Sequence, residues 1–137
     1  MNISEAAGSS GVSAKMIRYY EETGLVPKPR RMANGYRTYG HTDVHRLRFV
    51  ARARELGFSV EKISELLRLW QDRRRSSRDV KKLALQHLKE LEDQILRLQE
   101  MHQTLKHLAD TCDGDNRPHC PILKDLSSKP APERHKP

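Results

Sequence analysis

Aromatic residues are scarce in this chain. They make up 5% of its 137 residues, with a single Trp, and the hydrophobic share as a whole is 36%. A composition that thin does not fill a large independent core, so one compact domain with an extension is expected, with oligomerisation supplying the missing burial. Long apolar runs are also missing. No stretch approaches the roughly 18 apolar residues of a membrane-spanning helix, and the N-terminus lacks the apolar core of a secretion signal, which argues against a membrane and for the cytoplasm. Cysteine is nearly absent: Cys112 and Cys120, with seven residues between them, are the only thiols. In a reducing compartment so close a pair favours metal binding or redox chemistry over a structural disulfide.

What the chain has in excess is positive charge, formally +8, and it is unevenly placed. Residues 1–75 carry 15 Lys and Arg against 8 Asp and Glu, whereas residues 76–137 carry 11 against 10. An anionic partner therefore belongs to the N-terminal half. Phosphate backbone fits such a head, with an acidic membrane surface or a merely solvated charged face as the competing accounts.

Helical signals dominate the pattern. Residues 3–7 read as a short helix and 8–11 as a turn. Ser13 caps a second helix over 14–22, which Gly24 stops, so that helix, turn and helix follow within about 22 residues. Residues 27–39 carry Pro27, Pro29 and the tight-turn pair Asn34-Gly35, with Tyr36, Thr38 and Tyr39 favouring strand, and read as a small β-wing. Thr42 is expected to cap a helix to Leu56, and Ser59 another to about Trp70 with Ile63, Leu66, Leu67 and Trp70 on one face. After the basic run Arg73–Arg75, Ser76 and Asp79 form an acidic variant of the capping box. From there Ala84, Leu88, Leu91, Ile95, Leu98, His102, Leu105 and Ala109 alternate at spacings of four and three, a coiled-coil seam on a helix roughly 50 Å long. Such a stripe either folds back on the head or pairs with a second copy, and its length and continuity favour pairing. Ile122, Leu123 and Leu126 form a short amphipathic helix, and 128–137 is polar and proline-rich, hence a disordered tail.

The run VSAKMIRYYEETGLVPKPRRMANGYRTYG, the two helices after it, the coiled coil and the terminal C-x7-C followed by Pro-Ile resemble the MerR family of transcription regulators, within it the copper-responsive CueR subgroup. The resemblance covers about residues 1–127. It implies a mainly α fold: a winged helix-turn-helix DNA-binding head (1–72), a long antiparallel coiled-coil dimerisation helix (76–110) and a C-terminal metal-binding loop with its short helix (111–127). It implies a regulator rather than an enzyme. By resemblance Lys15 and Arg18 reach the major groove of double-stranded promoter DNA, Tyr19 and Tyr36 touch phosphates, and Arg37 anchors the wing; Arg54 is placed to reach the backbone. The resemblance further implies a homodimer on a promoter whose spacer is too long for RNA polymerase. Metal binding then bends and untwists the DNA, a deformation costing of order 1–6 kcal/mol.

Taken by itself, the cysteine pair leaves a metal site and a redox pair equally open. Soft Cu(I) prefers sulfur, and Cu(I), Ag(I) and Au(I) accept two ligands where structural zinc takes four. Family members that sense divalent ions carry a further cysteine at the start of the long helix, where this chain has Ser77, so the resemblance points to Cu(I) or a related monovalent ion held by Cys112 and Cys120. His119, Asp113 and Asp115 are weaker candidates that fit a solvated loop. A thiol-based redox-sensing regulator is the alternative function. A thiol oxidoreductase is a more distant one, since there is no C-x-x-C on a βαβ frame.

Overall fold

Local capping chemistry sets most of the boundaries. In a computed structural model, which describes residues 1–115, 117–128 and 130, the first helix α1 spans Ile3–Ser10 and is opened by a capping box between Asn2 and Glu5. It runs three residues further than the sequence suggests. Gly8 and Ser9 are helical because the Ser10 hydroxyl, itself buried, bonds the Ala7 carbonyl and accepts from Val12 N–H, and only Gly11, at φ 77°, turns the chain out. Ser13 caps α2, Ala14–Glu22, by accepting from Met16 N–H as expected.

The wing is real but short. Strands β1, Arg30–Arg31, and β2, Arg37–Thr38, pair antiparallel with Arg31 opposite Arg37, and Tyr36 and Tyr39 lie outside the ladder. Gly35 at φ 84° and the Asn34 side chain, which accepts from Tyr36 N–H, make the turn. Helix α3, His41–Glu55, begins two residues earlier than a Thr42 cap allows. Its cap is Gly40, whose N–H donates to Asp43 at 2.9 Å, so the acidic residue in the first turn supplies the returning half of a capping box and no hydroxyl caps the helix. Ser59 caps α4, Val60–Gln71.

Two compact units result, Met1–His87 and the residues from Leu88 onward. In the first, α1 packs on α2 and α3, and α3 on α4, around Ile17, Leu47, Val50 and Ile63, each at most 2% exposed. Burial of side chains this size is worth about 1.5–3 kcal/mol apiece. Of the predicted α4 face, Ile63 and Leu67 enter the core, whereas Trp70 stays 44% exposed with its indole stacked on Phe49.

Helix α5, Ser77–Asp110, is continuous for 34 residues and has no buried residue. Its seam residues Leu88, Ile95, Leu98 and Leu105 are all more than half exposed in the single chain. Helix α6, Pro121–Ser128, follows, so Ser128 ends a helix rather than opening a tail, and nearly all of the predicted tail lies outside the described residues. Among the described residues no helix is long and apolar enough to cross a membrane.

Candidate functional site

Helix α2 divides its residues cleanly between two faces. Ile17, Tyr20 and Glu21 are buried, while Lys15, Arg18 and Tyr19 point outward, spaced so that the exposed three share one side of the helix. Beside this face Arg18 joins Arg31, Asn34, Tyr36 and Arg37 of the wing in lining a concavity of about 820 Å³. Tyr36 stands out from the wing, 72% exposed. The guanidinium groups of Arg18 and Arg31 and the Tyr36 phenol around one open surface form an arrangement suited to a phosphate backbone, with side chains of α2 available to base edges. Lys15 and Tyr19 lie outside the lining of that concavity but on the same helix face, and Arg54 is exposed in the last turn of α3.

Arg37 differs from its neighbours. It is only half-exposed, and its guanidinium donates to Glu21 at 2.6 Å. The other oxygen of Glu21 accepts from the Tyr39 hydroxyl at 2.9 Å. Burial, reinforced by the adjacent carboxylate, raises the Tyr39 pKa above that of an ordinary tyrosine, so this hydroxyl keeps its proton and remains a donor.

The two thiols come together in the second unit. Cys112 follows the end of α5, Cys120 precedes α6, and their sulfurs lie 4.0 Å apart, both free. Cys120 occupies the capping position of α6, its carbonyl accepting from Lys124 N–H. The backbone N–H of Leu123, then that of Ile122, face its sulfur and push its pKa below that of an ordinary thiol, with a smaller contribution from the Cys112 thiol. The loop's carboxylates are engaged elsewhere. Arg117 bonds Asp115 at 2.7 Å and Asp113 at 3.0 Å, and its side chain holds Asp115 below the usual carboxylate range. His119 is exposed. Among the described residues no cluster of three or more metal-ligating side chains exists; the two sulfurs are soft donors of a kind that a two-coordinate monovalent ion accepts. Ser77 is the exposed first residue of α5, and the bond to Arg78 N–H that caps the helix comes from Ser76.

Sequence reasoning missed two side chains. Glu21 could have been noticed as a carboxylate inside the buried stripe of α2. His87 had no such signal: it lies off the seam, and its ring stacks on Phe58 at 4.1 Å while Nε2–H donates to the Leu56 carbonyl at 2.6 Å.

Known proteins resemble this chain over most of its length. The family model described as MerR HTH family regulatory protein matches residues 1–70, and that described as MerR, DNA binding matches residues 44–108. Heavy metal-dependent transcription regulator 2 of Rhizobium meliloti is 60% identical over 93% of this chain and 87% of its own length. The HTH-type transcriptional regulator CueR of Salmonella typhimurium is 46% identical over 93% of this chain and 92% of its own. Among solved structures, the transcription regulator PbrR691 from Ralstonia metallidurans in complex with lead(II) is similar with a TM-score of 0.80 at 27% identity, covering 92% of this chain and 98% of that one.

Proposed function

Because the chain belongs to the MerR family of helix-turn-helix transcription regulators, we propose that it is a metal-responsive activator whose signal is Cu(I), or a related monovalent ion such as Ag(I) or Au(I), held by Cys112 and Cys120. It is a regulator and not an enzyme. The observation that carries the choice of ion is the donor set: two sulfurs 4.0 Å apart with no third ligand gathered beside them among the described residues. Ser77 supports the same choice, since its hydroxyl is a hard donor where a further sulfur would admit a divalent ion. The similarity to CueR points the same way, whereas the similarity to a lead(II)-bound regulator is at lower identity.

The head supplies the DNA side of the mechanism. Lys15 and Arg18 present their side of α2 to the major groove, and Tyr19 with Tyr36 of the wing reaches the phosphates. The exposed seam of α5 supplies the homodimer, which sets two heads on a pseudo-palindromic promoter, with RNA polymerase as the partner that benefits. The metal, when bound, supplies differential binding energy that favours one of two dimer shapes. The extent of activation is limited by that difference and by a DNA deformation cost of order 1–6 kcal/mol. Copper efflux or detoxification genes are the fitting targets.

Anaerobic transcription in vitro with Cu(I), Ag(I), Hg(II) and Zn(II) tests the reading. The monovalent ions should activate the wild type, and Cys112→Ser or Cys120→Ser should abolish activation while leaving DNA binding intact. Activation by Zn(II) as strong as by Cu(I) defeats the choice of ion. A redox-sensing regulator is the second reading, favoured by the same short sulfur separation; a metal response that persists under strict reduction sets it aside.

A further inference from the structure

The wing has little of its own to hold it in place. Each strand is two residues long, and an isolated hairpin of that size is marginal in water. Its inner side is braced instead by β2 and the residue after it. Arg37 and Tyr39, two apart along an extended chain, project on the same side, and both end on one carboxylate: Arg37 on Oε1 and Tyr39 on Oε2 of Glu21. Glu21 is 4% exposed, and the cavity it lines beside Ile17, Tyr39 and Leu47 amounts to about 10 Å³. Burying a carboxylate so fully is costly unless it is paired and hydrogen-bonded, and here both oxygens are.

We infer that Glu21 is a positioning residue for DNA recognition: it is carried by the helix that bears Lys15, Arg18 and Tyr19, and by gripping Arg37 and Tyr39 it fixes where the wing, and Tyr36 with it, stands relative to that helix. The inference rests on the DNA-binding reading of this face. Two consequences separate it from a residue that merely stabilises the fold. The Arg37 charge is neutralised within the protein and is not spent on a phosphate. Removing the Glu21 charge should therefore loosen the wing and at the same time release one guanidinium to the DNA.

The test uses the full chain and a duplex enriched by the wild-type protein from a randomised library. Glu21→Gln, folded as judged by circular dichroism, should bind that duplex about tenfold more weakly at moderate salt, with the slope of log affinity against log salt steeper by about one, as expected for one additional phosphate contact. Simple destabilisation would lower the active fraction and leave the slope unchanged. Should Glu21→Gln fail to fold, Glu21→Asp takes its place: it keeps the charge but withdraws the carboxylate by one methylene, and the same weakening is expected per active molecule, with the active fraction fixed by stoichiometric titration and the slope unchanged, whereas a loss confined to the active fraction overturns the inference. A folded variant with wild-type affinity overturns the inference. Arg18→Ala distinguishes the two levels: weakened binding there beside wild-type binding in the Glu21 variant keeps the DNA-binding face and removes the role of Glu21, whereas unchanged binding in Arg18→Ala removes both.

Discussion

Replacing His87 by Ala should loosen the first unit by an amount the geometry allows one to work out. The imidazole stacks on Phe58 with centroids 4.1 Å apart and planes inclined by 26°, a contact worth about 0.5–1.5 kcal/mol beyond simple burial. Its Nε2–H bond to the Leu56 carbonyl is worth about 0.5–1.5 kcal/mol. The low end applies, because Leu56 and Gly57 are exposed and water takes over the abandoned carbonyl. Ala is the better helix former by about 0.5 kcal/mol, which offsets part of the loss. The net expectation is a destabilisation of about 1 kcal/mol, or a fall in Tm of roughly 4–8 °C for a unit of this size. Denaturant unfolding followed by circular dichroism, at a fixed protomer concentration so that dimerisation does not confound the comparison, measures it. His87→Phe keeps a ring on Phe58 and loses the bond, and should recover about half of the difference. A His87→Ala protein whose midpoint equals or exceeds that of the wild type would show that the ring clamps nothing, and that the start of α5 is held to the head by chain connectivity alone.

Other substitutions address the site more directly. In a Cys112→Ser protein, alkylation of the remaining Cys120 by iodoacetamide should have its midpoint at lower pH than a free cysteine, because the α6 backbone N–H groups favour the thiolate and a lowered pKa enlarges its fraction at neutral pH; a midpoint at or above that of free cysteine contradicts the capping geometry. Leu91→Asp with Leu98→Asp should give monomers with weak DNA binding, whereas a wild type that sediments as a monomer at micromolar concentration disposes of the coiled-coil dimer. Ser77→Cys should add a sulfur and admit Hg(II) in transcription assays at little cost to the helix, since Ser76 makes the cap bond; an unaltered ion preference leaves Ser77 without a selective role.

The elements legible in the sequence were those whose causes are local. Ser13 and Ser59 announce their helices because a cap hydroxyl and the N–H it accepts from lie three residues apart, and the seam of α5 is a matter of spacing alone. The start of α3 was misread because Gly40 has no side chain to signal a cap, and Asp43, three residues later, supplies the bond instead. Gly8 looked like a turn because the hydroxyl that keeps its neighbourhood helical belongs to a buried Ser10. What stayed hidden was tertiary: Glu21 meets Arg37 across 16 positions and His87 meets Leu56 across 31, and no periodicity within one segment says which side chain of another stands opposite. The cysteine pair was conspicuous from the start, but the occupation of Asp113 and Asp115 by Arg117 was not.

Two sulfurs held 4.0 Å apart can serve one master at a time. An oxidant that joins them into a bond of about 2.05 Å removes both thiolates, the form of sulfur a metal ion binds. Expressed as logic, the output of such a loop is metal and not oxidant. If the loop holds the ion proposed above, a fraction of the protein oxidised in this way would stay unresponsive to it until a thiol reductant restored the pair, so its response would depend on recent exposure to oxidant as well as on the ion present.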